Sequence, residues 1–234
     1  MSRDYYTIEE LTIQLGKERR LVEKQVSRGH IPGRRVGGEW RFNKTEITDW
    51  LEREMSSFSA TDLAVLERSY PSSEVCANSP VSSLLLPDLV EVPLDAGTKP
   101  SVLKSLVEVA GRTWQVFDSS AILNAVRQRE DLMSTAFDGG VAIPHPSSRM
   151  PDALGESLIA FGRTVSAIPF GGPQRQLTDL FFLVLSRDDN THLKILARLG
   201  RLFQLPDFLD DLRAAENSAD TYDVIITADN KLGE

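Results

Sequence analysis

The most informative segment of this chain reads Arg129-Glu-Asp-Leu-Met-Ser-Thr-Ala-Phe-Asp-Gly-Gly-Val-Ala-Ile-Pro-His145. Its two adjacent glycines permit a tight backbone approach just before a short apolar run. Because a residue that precedes proline is pushed toward extended conformations, Ile143 and His145 are predicted to lie on stiff, extended backbone. A rigidly presented imidazole suits a nucleophile or a ligand, although spacing alone leaves open a loop histidine without any role.

The same segment resembles the active-site segment of enzyme IIA domains of the phosphoenolpyruvate-dependent phosphotransferase system. The similar branch is the fructose/mannitol and nitrogen-regulatory type, and Thr191-His192-Leu193 matches that family's second histidine. The resemblance covers roughly residues 82–229. It implies that His145 accepts a phosphoryl group from a histidine-phosphorylated carrier protein, of the general or the nitrogen type. Such a site needs no metal and no cofactor.

Three positions depart from the family's usual pattern. Pro146 stands where glycine usually follows the histidine, and proline has no backbone N–H to offer a phosphoryl oxygen. Met133 and Asp138 replace small residues, and Asp138 brings a carboxylate near a site meant for a dianion. A IIA-like module that is never phosphorylated and acts by stoichiometric binding therefore stays open.

Helix periodicity places Arg129 on the inner side of a helix over residues 119–132. At about 100° per residue, Arg129 shares the apolar stripe of Ile122 and Val126. Arginine is rarely buried without a partner, and a phosphoryl group on His145 would suit its planar fork. The alternative is a nearby carboxylate, such as Asp138. The hydroxyl groups of Ser134 and Thr135 are further candidates for phosphoryl binding.

His192 follows an apolar run and is predicted to begin a helix capped by Asn190 or Thr191. A helix N-terminus favours an anion and lowers the pKa of an imidazole there. His192 is therefore a second catalytic candidate, and a surface histidine in a first helical turn is the alternative.

From about residue 82 onward, helical patterns alternate with apolar strands, which is typical of an α/β fold. We predict an IIA-like mixed sheet flanked by helices. The run Leu180–Leu185 is apolar throughout, which indicates a central strand covered on both faces.

The first 55 residues are predicted to form a small winged helix-turn-helix domain. Thr7 and Glu10 form a capping-box pattern that opens a first helix. A second helix is expected over residues 17–28, with Leu21 and Val26 facing inward. Gly37-Gly38 predicts a hairpin turn. The pattern resembles the excisionase-type, MerR-like family, in which the second helix enters the major groove of duplex DNA. The resemblance assigns these residues to DNA binding: Lys17, Arg19, Arg20, Lys24, Arg28, Arg34, Arg35 and Arg41.

Charge is distributed unevenly between the two ends of the chain. The net charge is −8, yet residues 17–44 hold nine Lys/Arg and three Asp/Glu, which leaves +6. Residues 59–234 hold 15 basic and 24 acidic residues, which leaves −9. This asymmetry favours a polyanion partner for the first domain, and a solvated basic face is the alternative. One winged module offers few phosphate contacts, so we expect a homodimer or tandem sites.

Residues 56–81 are predicted to be a flexible linker between a 1–55 domain and an 82–234 domain, with a helical turn or two over residues 62–68. Nine serines occur between Ser56 and Ser83, a composition that buries little apolar surface. The single cysteine, Cys76, suits a reducing cytoplasm, and no apolar run approaches the ~20 residues of a membrane span.

The two resemblances together predict a cytoplasmic regulator in which phosphorylation of His145 modulates a DNA-binding module. Its catalysis would be that of a phosphohistidine phosphotransferase rather than of a free-standing metabolic enzyme. A phosphocarrier that passes phosphate to a sugar permease is a competing hypothesis. Because charge repulsion is screened beyond about 8 Å, regulation is expected to need a direct contact between domains or subunits.

Overall fold

A computed structural model describes residues 4–73 and 75–233. The strands are β1 (Tyr5–Tyr6), β2 (Arg34–Val36), β3 (Glu39–Asn43), β4 (Leu85–Leu94), β5 (Ala136–Phe137), β6 (Val141–Ala142), β7 (Leu158–Ile168) and β8 (Thr178–Leu185). The helices are α1 (Ile8–Leu15), α2 (Arg19–Ser27), α3 (Lys44–Glu54), α4 (Ala60–Ser69), α5 (Lys99–Ala110), α6 (Ser119–Leu132), α7 (Asp189–Phe203), α8 (Phe208–Ala214) and α9 (Ser218–Gly233).

The larger sheet has five strands in the order β4-β7-β8-β6-β5. The pairs β4/β7 and β6/β8 are parallel, whereas β7/β8 and β5/β6 are antiparallel. β8 is the middle strand, and its run Leu180–Leu185 is buried throughout. The predicted mixed sheet flanked by helices, with this run at its centre, is therefore confirmed.

Strand β4 was missed because Pro87 and Pro93 interrupt its apolar pattern. Proline cannot donate to a strand ladder and is tolerated mainly at sheet edges. β4 lies at such an edge, pairing only with β7 in the sheet order. Its strand character therefore depends on its neighbours rather than on its own sequence.

The first 55 residues form the predicted helices and wing. Thr7 caps α1 with a complete capping box, Gly37 and Gly38 form the positive-φ turn between β2 and β3, and Asn43 caps α3. The prediction that Leu21 faces inward was wrong: its side chain is 51% exposed, and Val22 is buried in its place. Helix α2 begins at Arg19, and its phase puts Val22 and Val26, four positions apart, on the inner face.

The predicted flexible linker instead contains a helix that packs on both parts of the chain. Leu63 and Leu66 of α4 are buried. A Cβ added to Gly16, at the end of α1, would meet Val65, and one added to Gly200 of α7 would meet Leu63. The helical turns expected over residues 62–68 are part of this helix. Its packing was not predicted, because the apolar surface that covers it comes from α1 and α7.

A buried ionic network holds the same segment against the larger domain. Arg198 of α7 binds Asp229 of α9 at 2.7 Å and Glu67 of α4 at 3.2 Å. Its guanidinium also donates to the carbonyl oxygen of Asn78 at 2.7 Å. The side chain of Arg198 is only 1% exposed, so its charge is balanced by these partners.

Candidate functional site

His145 lies directly after strand β6, in the extended segment that the two prolines enforce. It is 3% exposed. Its Nδ1 lies 2.7 Å from the carbonyl oxygen of Ile143, and because a carbonyl can only accept, Nδ1 carries the proton. In the neutral ring, Nε2 is therefore the nitrogen that carries the lone pair.

His192 lies beside it, on the first turns of α7. The ring centroids of His145 and His192 are 4.9 Å apart, and His192 is fully buried. The helix cap is Asp188, not Asn190 or Thr191, because its side chain accepts from the amide of Thr191. The amide of His192 is bonded to the carbonyl of Asp188, so only its ring faces the site.

A carboxylate from the first 55 residues lies between the two rings. Glu52 of α3 has Oε1 2.8 Å from Nε2 of His192 and Oε2 3.2 Å from Nε2 of His145. The Glu52 side chain is 2% exposed. Its partners are thus 93 and 140 positions away along the chain.

Two arginines complete this cluster. Nε of Arg129 lies 3.5 Å from Oε2 of Glu52, and Nη1 donates to the carbonyl of Met133 at 2.9 Å. Nη2 of Arg149 lies 3.2 Å from Oε1 of Glu52. Arg129 is buried, as the helix phase predicted. Its carboxylate partner is Glu52, whereas Asp138 is exposed in the turn before β6.

The hydroxyl groups of Ser134 and Thr135 already have protein partners. Ser134 donates to the carbonyl of Phe170 at 3.0 Å, and Thr135 donates to the carboxylate of Glu130 at 2.6 Å. Pro146 is buried next to His145, and its carbonyl accepts from Nη2 of Arg149 at 3.3 Å.

Burial and these partners shift the ionisation of the cluster. Burial lowers the pKa of His192 to about 3, and the nearby Arg149 charge acts in the same direction. Burial tends to raise the pKa of Glu52, but hydrogen bonds and charge from His145 and His192 outweigh it and hold that pKa well below its usual range. The low pKa of His192 agrees with the expected direction, although burial rather than the helix terminus is the main cause.

The predicted DNA-binding residues lie on α2, directly beside its ends at Lys17 and Arg28, and on the wing, away from this cluster. Arg19, Arg20, Lys24, Arg35 and Arg41 line one groove between α2 and the β2–β3 hairpin. Arg28 and Arg34 are exposed nearby, whereas Lys17 lies over the ring of Phe58 at 5.3 Å.

Several of these cations are already paired with carboxylates. Arg19 pairs with Glu9 and Glu23, Arg34 with Glu46, and Arg41 with Glu39. The basic groove therefore carries less free positive charge than the sequence count suggests.

A family model for the phosphoenolpyruvate-dependent sugar phosphotransferase system, EIIA 2, matches residues 83–228. The chain belongs to this EIIA family. A helix-turn-helix family model matches residues 5–55, so an EIIA domain is joined here to a helix-turn-helix domain. Within the described residues, no helix has the length and apolar character needed to cross a membrane.

Curated relatives of this EIIA chain have both regulatory and sugar-specific names. A nitrogen regulatory protein of Bradyrhizobium diazoefficiens is 33% identical over 149 residues, which is 62% of this chain and 94% of the relative. The fructose-specific EIIA component of Haloferax volcanii is 27% identical over 147 residues, 62% of this chain and 94% of the relative. The chain spans only 23% of the fructose-specific EIIABC component of Bacillus subtilis, at 26% identity and 62% of this chain.

Solved structures share the EIIA fold. The crystal structure of nitrogen regulatory protein IIA-Ntr from Neisseria meningitidis has a TM-score of 0.56 at 21% identity, covering 62% of this chain and 98% of that one. IIA mannitol from Escherichia coli has a TM-score of 0.52 at 16% identity, covering 59% of this chain and 96% of that one.

Sequence reasoning missed two members of the site in this EIIA chain. Arg149 follows His145 by four positions in a loop, without any periodic pattern to show that it turns inward. Glu52 lies on the apolar side of α3, next to Leu51. A carboxylate on a buried helix face was a usable signal that it has a partner, but the partner itself could not be inferred locally.

Proposed function

We propose that this chain is a regulator whose EIIA domain accepts a phosphoryl group on His145 and thereby modulates its helix-turn-helix domain. The donor is a histidine-phosphorylated carrier protein of the general or nitrogen type. The supporting observation is the convergence of four groups on one anion position. Nε2 of His145, Nε2 of His192, and the guanidinium groups of Arg129 and Arg149 all surround the Glu52 carboxylate.

The geometry suits a direct transfer between two imidazoles. The lone pair on Nε2 of His145 forms a bond to phosphorus while the bond from phosphorus to the carrier's nitrogen breaks, and that nitrogen regains its electron pair. In the neutral ring Nδ1 holds the one proton against the carbonyl of Ile143, so Nε2 presents its lone pair; a proton that Nε2 shares with Glu52 leaves with that carboxylate before the attack. Arg129, Arg149 and the Nε2–H of His192 would stabilise the phosphoryl oxygens.

The regulatory reading is favoured over a phosphocarrier for a sugar permease by the first 55 residues. The matched helix-turn-helix domain presents exposed cations on its second helix and wing, which suits a polyanion. A permease partner would leave that basic groove without a role.

A second candidate is an EIIA-like module that is never phosphorylated and acts by binding alone. The observation in its favour is that Glu52 fills the anion position while His145 is 3% exposed. Pro146 also disfavours phosphorylation, because it has no backbone N–H to bind a phosphoryl oxygen.

Phosphorylation of the full chain separates the two candidates. The protein is incubated with phosphoenolpyruvate, enzyme I and each carrier protein, and an acid-labile phosphohistidine is sought by intact mass and peptide mapping. We expect one phosphoryl group on wild type and none on His145→Ala. The matched control is His30→Ala, which removes the exposed third histidine and should be modified like wild type. Wild type that stays unmodified with every carrier would support the binding-only candidate.

A further inference from the structure

We infer that the phosphoryl site of the EIIA domain is also a binding site for the last turn of α3, with the Glu52 carboxylate in place of the phosphoryl group. This inference rests on the proposed function and goes beyond it: binding of Glu52 and phosphorylation of His145 exclude each other. The interaction surface of the EIIA site thus fits a segment of the same chain.

The contacts made by Glu52 identify the site as one for an anion. Each oxygen of Glu52 faces one histidine nitrogen and one guanidinium group. Glu52 and the two histidines also have the composition of a divalent-metal site, with ligand atoms within 4.8 Å of one another. Two arginines on the same carboxylate oppose a dication there, so an anionic occupant is favoured.

The bound carboxylate also removes the nucleophile's lone pair. Since Nδ1 of His145 donates to Ile143, a hydrogen bond between Nε2 and the Glu52 carboxylate requires a proton on Nε2. A protonated Nε2 cannot attack phosphorus. The 3.2 Å gap between Nε2 and Oε2 also leaves no room for a phosphoryl group.

Glu52 cannot leave the site without moving the end of α3. Its neighbours Trp50 and Leu51 are buried, and the chain continues into the turn Met55–Ser57. The carbonyl of Phe58 then accepts from the side chain of Gln204, directly after α7, at 3.0 Å. A phosphoryl group on His145 would therefore displace the last turn of α3 within the helix-turn-helix domain.

The bond between Glu52 and the EIIA site is a direct contact between the two domains. Regulation needs such a contact, because charge repulsion between the domains is screened by salt. The groove between α2 and the wing stays open while Glu52 is bound. The state of His145 thus reaches the DNA-facing elements through α3, which directly follows the wing strand β3.

The test compares initial phosphorylation rates of the full chain with a fixed amount of phosphorylated carrier. Glu52→Ala should be modified at least about tenfold faster than wild type, because the accessible fraction of the site rises. Glu52→Gln keeps the size of the side chain and should be faster than wild type if the alanine variant does not fold. The matched control is Glu54→Ala, an exposed glutamate of the same helix, which should react at the wild-type rate.

Amide hydrogen exchange gives a readout that does not depend on rate. Phosphorylation of wild type should accelerate exchange of the amides of residues 50–55, and Glu52→Ala should do so without phosphate. Wild-type rates in both Glu52 variants, or unchanged exchange in phosphorylated wild type, would overturn the inference while leaving the proposed function intact. If no carrier protein phosphorylates either the wild type or the Glu52 variants, the proposed function itself fails.

Discussion

Glu52 and His192 are 140 positions apart, yet Oε1 of the carboxylate lies 2.8 Å from Nε2 of the ring. This bond joins the third helix of a helix-turn-helix domain to the second histidine of an EIIA domain. The Nδ1 atom of the same ring is buried, with no hydrogen-bond partner among the described residues. His192 is thus held as a donor through Nε2, in the form that a phosphoryl oxygen would also require.

Arg129, whose inward position was predicted from helix phase, should contribute directly to phosphoryl transfer. In a Glu52→Ala background, which removes the competing carboxylate, Arg129→Ala should slow phosphorylation about tenfold or more. One hydrogen bond to a charged group contributes roughly 1.5–3 kcal/mol. The control is Arg127→Ala on the same helix, with rates followed by intact mass. Equal rates for the two variants would contradict a role for Arg129.

Pro146, which follows the proposed nucleophile His145, should slow phosphorylation if the reaction needs a backbone N–H donor at that position. Pro146→Gly restores an N–H beside His145, so we expect faster phosphorylation or a longer-lived phosphoprotein, by about tenfold. The measurement is the rate and half-life of the phosphohistidine in the Glu52→Ala background. An unchanged rate and half-life would show that position 146 makes no such contact.

Acid should destabilise the chain through His192. Its pKa is about 3 in the folded protein against an ordinary 6.5, so its contribution is complete above pH 6.5 and is lost as the pH falls. Relative to His192→Gln, wild type should lose about 1.4 kcal/mol of unfolding free energy per pH unit below 6.5.

Urea unfolding between pH 7 and 5 measures this slope in both proteins. Over that range the low pKa of Glu52 adds little, since its contribution is lost only below about pH 4.5. The pKa of Asp49, raised by burial and by Glu52, acts in the opposite direction in both proteins. Parallel pH profiles for wild type and His192→Gln would mean that His192 is not buried in the neutral form.

DNA binding should depend most on the cations that are not already paired. Among the described residues, Arg20 and Lys24 form no ion pair, whereas Arg19 is held by Glu9 and Glu23. We therefore expect Arg20→Ala and Lys24→Ala to weaken binding of duplex DNA more than Arg19→Ala does. Each lost phosphate contact should also reduce the salt slope by about 1.

Titrations of the full chain at two salt concentrations test this order, with the wing variants Arg34→Ala and Arg35→Ala as a second group. Wing variants should lower affinity uniformly across sequences if they contact only the backbone. Unchanged DNA affinity of the full-length protein in all five variants would favour the solvated-face alternative for these residues.

The ionic network under α4 should be a major source of stability. Glu67→Ala leaves the buried Arg198 with one carboxylate fewer, and breaking a buried pair costs about 3–5 kcal/mol. The matched control is Arg68→Ala, an exposed neighbour on the same helix, which should stay near wild type. Urea midpoints compare them, and equal midpoints would show that α4 is not anchored through Glu67.

Local patterns in the sequence were sufficient for both domains and most of their elements. The capping box at Thr7, the Gly37-Gly38 turn, the bounds of α6 and the central strand were all predicted, because each depends on residues close in sequence. The low pKa of His192 was expected in direction from the helix terminus, although its main cause is burial. The burial of Arg129 followed from helix phase alone.

What the sequence could not provide was the partner of each buried charge. Composition alone described residues 56–81 as a linker, whereas the apolar surfaces of α1 and α7 cover α4 there. Glu52 was missed, because its partners lie 93 and 140 positions away. Only the tertiary structure places that carboxylate between His145 and His192, because contacts between domains depend on packing that no local pattern records.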